Sequence, residues 1–298
     1  MTLSVDLVGL ERLDDVWHVV RAAFDSRPPL DPPADAASDT RDAFAAALRS
    51  HGGLLATRDG APVGALLLDP SPQGLVLRRF GVVPAERHQG IATAMVDAAV
   101  RIGLGHTALI VLARAELPRT VAFWEEHGFV EFSREAPYVE LRRPLARTVQ
   151  VPDADQMRAL GERVGSGLRA GDVVVLTGEL GAGKTTFTQG LGVGLGVRGQ
   201  VTSPTFVIAR VHPSLVGGPS LVHVDAYRIG GIDELDDLDL DASLEEAVTV
   251  VEWGAGLAET LAPARLEIVI ERALGADAPV DEDSLDPRVV RFARVLPE

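Results

Sequence analysis

Apolar positions recur along this chain at two spacings, and their alternation lays out its elements. In the first half, residues 4–8 read as a strand, and Leu13, Val16, Val19, Val20 and Phe24 follow at helical spacing within 11–24. A loop rich in Pro, Asp and Ala over 26–38 separates this helix from a second around 41–48. Strands at 53–57, 62–68 and 74–82 come next, the first two joined by the turn Arg58-Asp59-Gly60. A loop at 87–92 then opens a helix whose Ile91, Met95, Val96 and Ala99 share one face, and 138–141 reads as a closing strand.

The second half begins after a short joint at 143–152 that carries Pro144. Residues 148–151 read as a strand, and 153–168 as an amphipathic helix with Met157, Leu160, Val164 and Leu168 on one side. The run D-V-V-V-L-T at 172–177 is β-branched, as a buried parallel strand requires. Further strands fall at 220–227, 249–253 and 289–295. Between them, 233–246 holds eight acidic residues and no basic one. That stretch reads as a solvated face or as a surface that meets a basic partner. Residues 275–286, acidic with Pro and Gly, read as a loop.

Chemistry concentrates after the 172–177 strand. Gly178 to Thr185 reads G-E-L-G-A-G-K-T and matches G-x-x-x-x-G-K-[ST] at every fixed position. Glycines at 178, 181 and 183 permit a tight loop whose N–H groups surround phosphate oxygens, and the helix behind it points its positive end at the same anion. Lys184 is placed to reach the β- and γ-phosphates and Thr185 to offer its hydroxyl to Mg²⁺. Of the 28 basic side chains in the sequence, Lys184 is the only lysine. The helix from Thr186 carries Gly190, Gly192, Gly194 and Gly196 and is expected to be short. T-S-P-T-F at 202–206 offers hydroxyls, Thr205 among them, to the γ-phosphate or its metal. Asp225 and Glu252 each end an apolar strand. Either alone is an ordinary strand-end acid; beside Lys184 in a parallel sheet they make a site.

Size and charge narrow the picture. A chain of 298 residues fits about two domains. There is no cysteine, which excludes disulfides, thiolate zinc sites and a cysteine nucleophile. No run of apolar residues is long enough to span a membrane. The net charge is −15, and residues 147–298 carry 24 acidic against 13 basic side chains. Such a body repels a phosphate backbone, so any nucleic acid would be held mainly by a partner protein.

Two resemblances follow from these motifs. G-E-L-G-A-G-K-T-T-F, T-S-P-T-F, H-V-D-A-Y-R and V-E-W, in this order, resemble the small ATPases of tRNA threonylcarbamoyladenosine biosynthesis, the TsaE type. The resemblance implies that Gly178, Glu179, Leu180, Gly181, Ala182, Gly183, Lys184, Thr185 and Thr186 hold ATP. It implies that Thr185 and Glu252 bind Mg²⁺ with Asp225 in or beside its shell, that Thr205 lies in a switch-like segment, and that Trp253 packs near the nucleotide. A core aromatic is the other reading of Trp253. It also implies work with the other proteins of the threonylcarbamoyladenosine-forming complex and with tRNA indirectly. ATP dependence places the expected protein in the cytoplasm, and the lack of long apolar runs predicts no membrane association. Lys184, Asp225 and Glu252 are the residues expected to carry ATP hydrolysis.

In the first half, V-V-P-A-E-R-H-Q-G-I-A-T at 82–93 resembles motif A of the GNAT superfamily of N-acetyltransferases, and A-F-W-E-E-H-G-F at 122–129 resembles its late helix-to-strand motif. Val82, Val83, Arg87, His88, Gln89, Gly90, Ile91 and Ala92 are the implied acetyl-CoA site. Trp124 stands where the family often has a tyrosine acid, and no Glu lies in the 74–83 strand. His88, His127 and Tyr138 are the remaining candidates for proton transfer, and a fold that binds acetyl-CoA without transferring it is the competing reading. The combined expectation is an α/β protein of two domains. Residues 1–145 would form an acetyltransferase-like mixed sheet with helices on both faces. Residues 146–298 would form a P-loop fold with a largely parallel central sheet. The alternatives in function are a protein N-acetyltransferase with a regulatory nucleotide-sensing P-loop domain, and a small-molecule kinase, for which no acceptor site is identifiable.

Overall fold

A computed structural model describes residues 2–31, 39–199, 201–204, 208–228, 245–254, 256, 262–273 and 287–296. They fall into two compact units, Met1–Leu145 and Ala146–Glu298. Thr205, Phe206, residues 32–38 and 275–286, and the acidic stretch up to 244 lie outside the described residues. Among the described residues no helix is long and apolar enough to cross a membrane.

In the first unit, β1 (Leu3–Val8), β2 (Gly53–Arg58), β3 (Ala61–Ser71) and β4 (Gly74–Val82) pair antiparallel in sequence order. β5 (Ala108–Arg114) joins β4 in parallel, and β6 (Val130–Glu135) and β7 (Tyr138–Pro144) complete a seven-stranded sheet, order β1-β2-β3-β4-β5-β7-β6. Successive strand residues point to opposite faces, so both faces are apolar and both are covered. On one, α1 (Leu13–Asp25) and α2 (Arg41–Ser50) bury Val16, Val20, Phe44 and Leu48 against Leu55, Ala65 and Leu67. On the other, α3 (Ile91–Ile102) and α4 (Pro118–Glu126) bury Ile91, Met95 and Trp124 against Leu54, Ala56 and Leu66. β4 and β5 are in register only at Leu75 with Leu109 and Val76 with Ile110. The rest of β4 therefore has no ladder on that side.

The second unit has β8 (Thr148–Val151), α5 (Ala154–Gly165), β9 (Val173–Thr177), α6 (Lys184–Gly194), β10 (Ala209–His212), β11 (Ser220–Asp225), β12 (Ala247–Glu252), β13 (Arg265–Arg272) and β14 (Arg288–Val295). Its sheet runs β10-β11-β12-β9-β13-β14-β8. The centre, β11-β12-β9-β13, is parallel, while β10, β14 and β8 add antiparallel at the edges. Parallel strands are buried on both faces, and β12 is buried at every position. α5 starts at an Asp153 cap that accepts from the Gln156 N–H, and it stops at Gly165. Leu168, expected on its apolar face, is buried instead from the turn that follows, where its N–H donates to Gly165 O.

α6 is 11 residues long and ends at Gly194. Its glycines serve close packing. A Cβ on Gly190 would lie 1.9 Å from Arg158 O and one on Gly194 2.2 Å from Glu162 O. From α5, Cβ atoms on Gly161 and Gly165 would lie 2.1 Å from Phe187 O and 2.3 Å from Leu191 O. The two helices touch backbone to backbone, which fixes the helix that carries Lys184 and Thr185.

Candidate functional site

The P-loop joins the end of β9 to the start of α6. A Cβ on Gly178 would stand 2.4 Å from Ile270 O, and Gly183 takes φ 108° as the N-cap of α6. The loop therefore closes in this form with glycine at both places. No side chain caps α6, so its first-turn N–H groups and positive end remain for an anion. Ala182 is buried and Leu180 is fully outside, while Arg288 Nε donates to Ala182 O at 3.0 Å and ties the loop to β14.

Lys184 is nearly buried. Its Nζ donates to Gly178 O at 2.7 Å and to Glu179 O at 2.9 Å, and it lies 3.7 Å from the centre of the Trp253 ring. Burial lowers the lysine pKa from its ordinary 10.5, and the charges of Glu252 and Asp225 partly restore it. Trp253 itself takes φ 62° directly after β12, held by its N–H to Leu176 O at 2.9 Å, and its ring lies 5.1 Å from that of Tyr227. It is half-buried at the loop and lines a cleft of about 520 Å³ with Gly178, Glu179, Ile270 and Arg272.

Asp225 and Glu252 are register partners at the ends of adjacent parallel strands, both buried. Glu252 Oε2 accepts from Thr185 Oγ1 at 3.1 Å. Its Oε1 accepts from His223 Nε2 at 2.8 Å and lies 3.4 Å from Thr188 Oγ1, whose hydrogen goes to Lys184 O at 3.0 Å. Asp225 Oδ2 accepts from Ser203 Oγ at 3.1 Å, which brings the start of the T-S-P-T-F segment to the strand ends, and Oδ1 accepts from the Tyr227 N–H at 3.1 Å. Thr186 is half-buried in the first turn of α6. Lys184, Thr185, Glu252 and Trp253 thus meet at one place, with Asp225 beside them.

Among the described residues, no three His, Cys, Asp or Glu side chains cluster as a metal site. A hydroxyl, one or two carboxylates and a phosphate-receptive loop nonetheless fit Mg²⁺, which takes few protein ligands and completes its shell with phosphate oxygens and water. Sequence reasoning passed over His223, Thr188 and Arg288. His223 was visible as the residue two before Asp225 on the same strand face; the other two depend on tertiary contacts.

In the first unit, Val82 ends β4, Val83 leads into a 3₁₀ turn at Pro84–Glu86, and Gly90, at φ 77°, is the N-cap of α3, again with no side-chain cap. Arg87 donates to Ala23 O at 3.1 Å and to Ser26 Oγ at 2.6 Å. Gln89 is bonded to Arg58, which also pairs with Glu86 at 2.5 Å. His88 is exposed, Ile91 is buried and Ala92 is half-buried. Among the proton-transfer candidates, His127 is engaged at both nitrogens, Nδ1 with Phe123 O at 2.7 Å and Nε2 with Thr93 Oγ1 at 2.9 Å. Trp124 packs among Phe80, Phe123 and Phe129, so the place where a tyrosine acid was sought is filled by a core ring. Tyr138 lies beneath the Arg114 guanidinium, 5.4 Å from ring centre to Cζ.

Comparison with known proteins finds matches in both units. Residues 15–129 match the acetyltransferase (GNAT) family model, and residues 151–277 match the family model of the threonylcarbamoyl adenosine biosynthesis protein TsaE. The tRNA threonylcarbamoyladenosine biosynthesis protein TsaE of Streptomyces coelicolor is 68% identical over 123 residues, spanning 41% of this chain and 83% of that protein. Its namesake in Mycobacterium tuberculosis is 48% identical over 150 residues, spanning 46% and 89%. A solved ribosomal-protein-S18-alanine N-acetyltransferase from Escherichia coli aligns with 49% of this chain and 95% of its own, at 16% identity and a TM-score of 0.41. With a P-loop between β9 and α6, carboxylates at the ends of β11 and β12, and relatives this similar over most of their length, the chain belongs to the TsaE family.

Proposed function

We propose that the chain is the ATP-binding and ATP-hydrolysing component of the system that forms threonylcarbamoyladenosine in tRNA. In this reading residues 146–298 are the ATPase domain and residues 1–145 an acetyl-CoA-dependent N-acetyltransferase-like domain. The observation that carries it is the meeting of Lys184 and Thr185 with Glu252 at the ends of β9 and β12. Gly178–Thr186 would hold the triphosphate and Lys184 would offset its charge. Thr185 and Glu252 would hold Mg²⁺, and Asp225, joined to Ser203, would place the metal or the attacking water. Thr205 would sense the γ-phosphate, and Trp253 would border the nucleotide. Bound Mg²⁺ supplies charge neutralisation at the β- and γ-phosphates. The protein would act in the cytoplasm with the other proteins of the modifying complex, which hold the tRNA that an acidic chain does not attract.

For the first unit, Val82, Val83 and Arg87–Ala92 would bind acetyl-CoA. The support is the uncapped start of α3 behind Gly90 and the open side of β4 next to it. With Trp124 in the core and His127 bonded at both nitrogens, neither would act as the proton donor or acceptor.

Depletion of the chain in its own host tests the main reading. Threonylcarbamoyladenosine in bulk tRNA, followed by mass spectrometry, should fall on depletion and return with the wild-type chain but not with Lys184→Ala. Equal recovery with both would remove ATP from the function, and an undiminished nucleoside on depletion would remove the chain from the pathway.

A further inference from the structure

Glu252 is held by a buried histidine that the nucleotide-binding motifs leave without a task. His223 lies on β11, wholly inaccessible to solvent, and its Nε2 is 2.8 Å from Glu252 Oε1. A carboxylate only accepts, so Nε2 carries the hydrogen. Nδ1, among the described residues, has no partner. Leu221, two residues earlier on the same strand face, fills its place with an apolar side chain. A polar ring with one nitrogen unmet is a poor filler for such a core; its contribution lies in what Nε2 does.

The Thr188 hydroxyl, 3.4 Å from Oε1, donates its one hydrogen to Lys184 O at 3.0 Å. Nε2 is therefore the donor that holds Oε1, and among the described residues Oε2 is left to Thr185. Oε2 and Thr185 Oγ1 are 3.1 Å apart. Adjacent oxygens on an octahedral Mg²⁺ with bonds of about 2.1 Å stand about 3 Å from each other. We propose that His223 is a positioning residue for the cation: it fixes the Glu252 carboxylate so that Oε2 and the Thr185 hydroxyl are presented together as neighbouring ligands. This rests on the reading of residues 146–298 as a Mg²⁺-dependent ATPase.

The test titrates ATP calorimetrically into the full chain, with Mg²⁺ and with EDTA, for wild type, His223→Gln and His223→Asn. Glutamine places an amide nitrogen near the position of Nε2, whereas asparagine reaches only that of Nδ1. Affinity in EDTA should agree within about twofold among the three, while the gain on adding Mg²⁺ should persist with Gln and shrink about tenfold or more with Asn, the usual cost of losing a partner behind a metal ligand. A full Mg²⁺ gain in His223→Asn would overturn the proposal, and so would a parallel loss of EDTA affinity in both variants, which marks a purely structural histidine. Should wild type itself gain nothing from Mg²⁺, the ATPase reading falls first, before any variant is compared. A measurement on the unaltered protein guards against misfolded variants. The ring Nε2–H resonance of His223 should move when Mg²⁺ joins the ATP complex, and a resonance that stays in place would overturn the proposal.

Discussion

Lys184 donates to two carbonyls of its own loop and rests on the face of Trp253, with no carboxylate among its hydrogen-bond acceptors in the described residues. A buried ammonium held by neutral groups is poorly compensated, and burial lowers its pKa below 10.5 accordingly. The sign of the consequence is fixed by linkage. Between the lowered value and 10.5 the unfolded chain holds more protons than the folded one, so stability rises with pH through that window and the charge costs stability below it. Phosphate relieves that cost by favouring the charged form, which makes binding take up protons at alkaline pH. ATP affinity in EDTA should therefore start to fall at a pH below 10.5, and calorimetry across the alkaline range would show it; constant affinity up to 10.5 would mean the lysine is not desolvated in the free protein. Lys184→Ala should lower the affinity by about 10- to 100-fold, the range expected for a charge-assisted contact.

The pairing of α5 with α6 sets how accurately the lysine is aimed. Gly161 and Gly165 on one helix and Gly190 and Gly194 on the other let the backbones approach until no Cβ fits between them. Gly190→Ala should destabilise the second unit by about 1–3 kcal/mol or more, because the methyl would stand 1.9 Å from Arg158 O, a backbone atom that cannot swing aside. Gly199→Ala, whose Cβ meets nothing within 4 Å though φ is 82°, should cost no more than about 1–2 kcal/mol of backbone strain. Thermal unfolding of the two variants makes the comparison. These glycines also mark where the sequence was readable and where it was not. The P-loop was legible because its spacing is enforced by local geometry, and the strands ending in Asp225 and Glu252 because they are apolar runs closed by an acid. In contrast, Gly190 and Gly194 of α6 looked like weak helix formers, since their value exists only against α5. β13 lines the cleft and was overlooked, although Leu266, Ile268 and Ile270 are buried and alternate with Arg265, Glu267, Val269 and Glu271. His223 was read as part of a strand and of the H-V-D-A-Y-R motif with no role of its own, because its partner Glu252 lies 29 residues away in sequence.

Among the described residues, each unit has a seven-stranded sheet built from its own strands. Lys184, Thr185, Asp225, Glu252 and Trp253 all come from the second unit, while the loop from Val82 to Ala92 lies within the first. A site assembled within one unit needs only that unit to form, provided its core is large enough. Residues 146–298 comprise about 150 residues, a length at which a chain buries about 68–70% of its unfolded surface. Expressed alone, they should unfold cooperatively and bind ATP with an affinity within about twofold of the full chain, a difference of about 0.4 kcal/mol. Residues 1–145 should likewise give saturable heat with acetyl-CoA, independent of ATP. Loss of ATP binding in the isolated second unit, with its sheet intact by circular dichroism, would mean that the first unit completes the nucleotide site. Unchanged binding in both halves would instead confine any coupling between acetyl-CoA and ATP to the joined chain, where titrating one ligand in the presence of the other measures it directly.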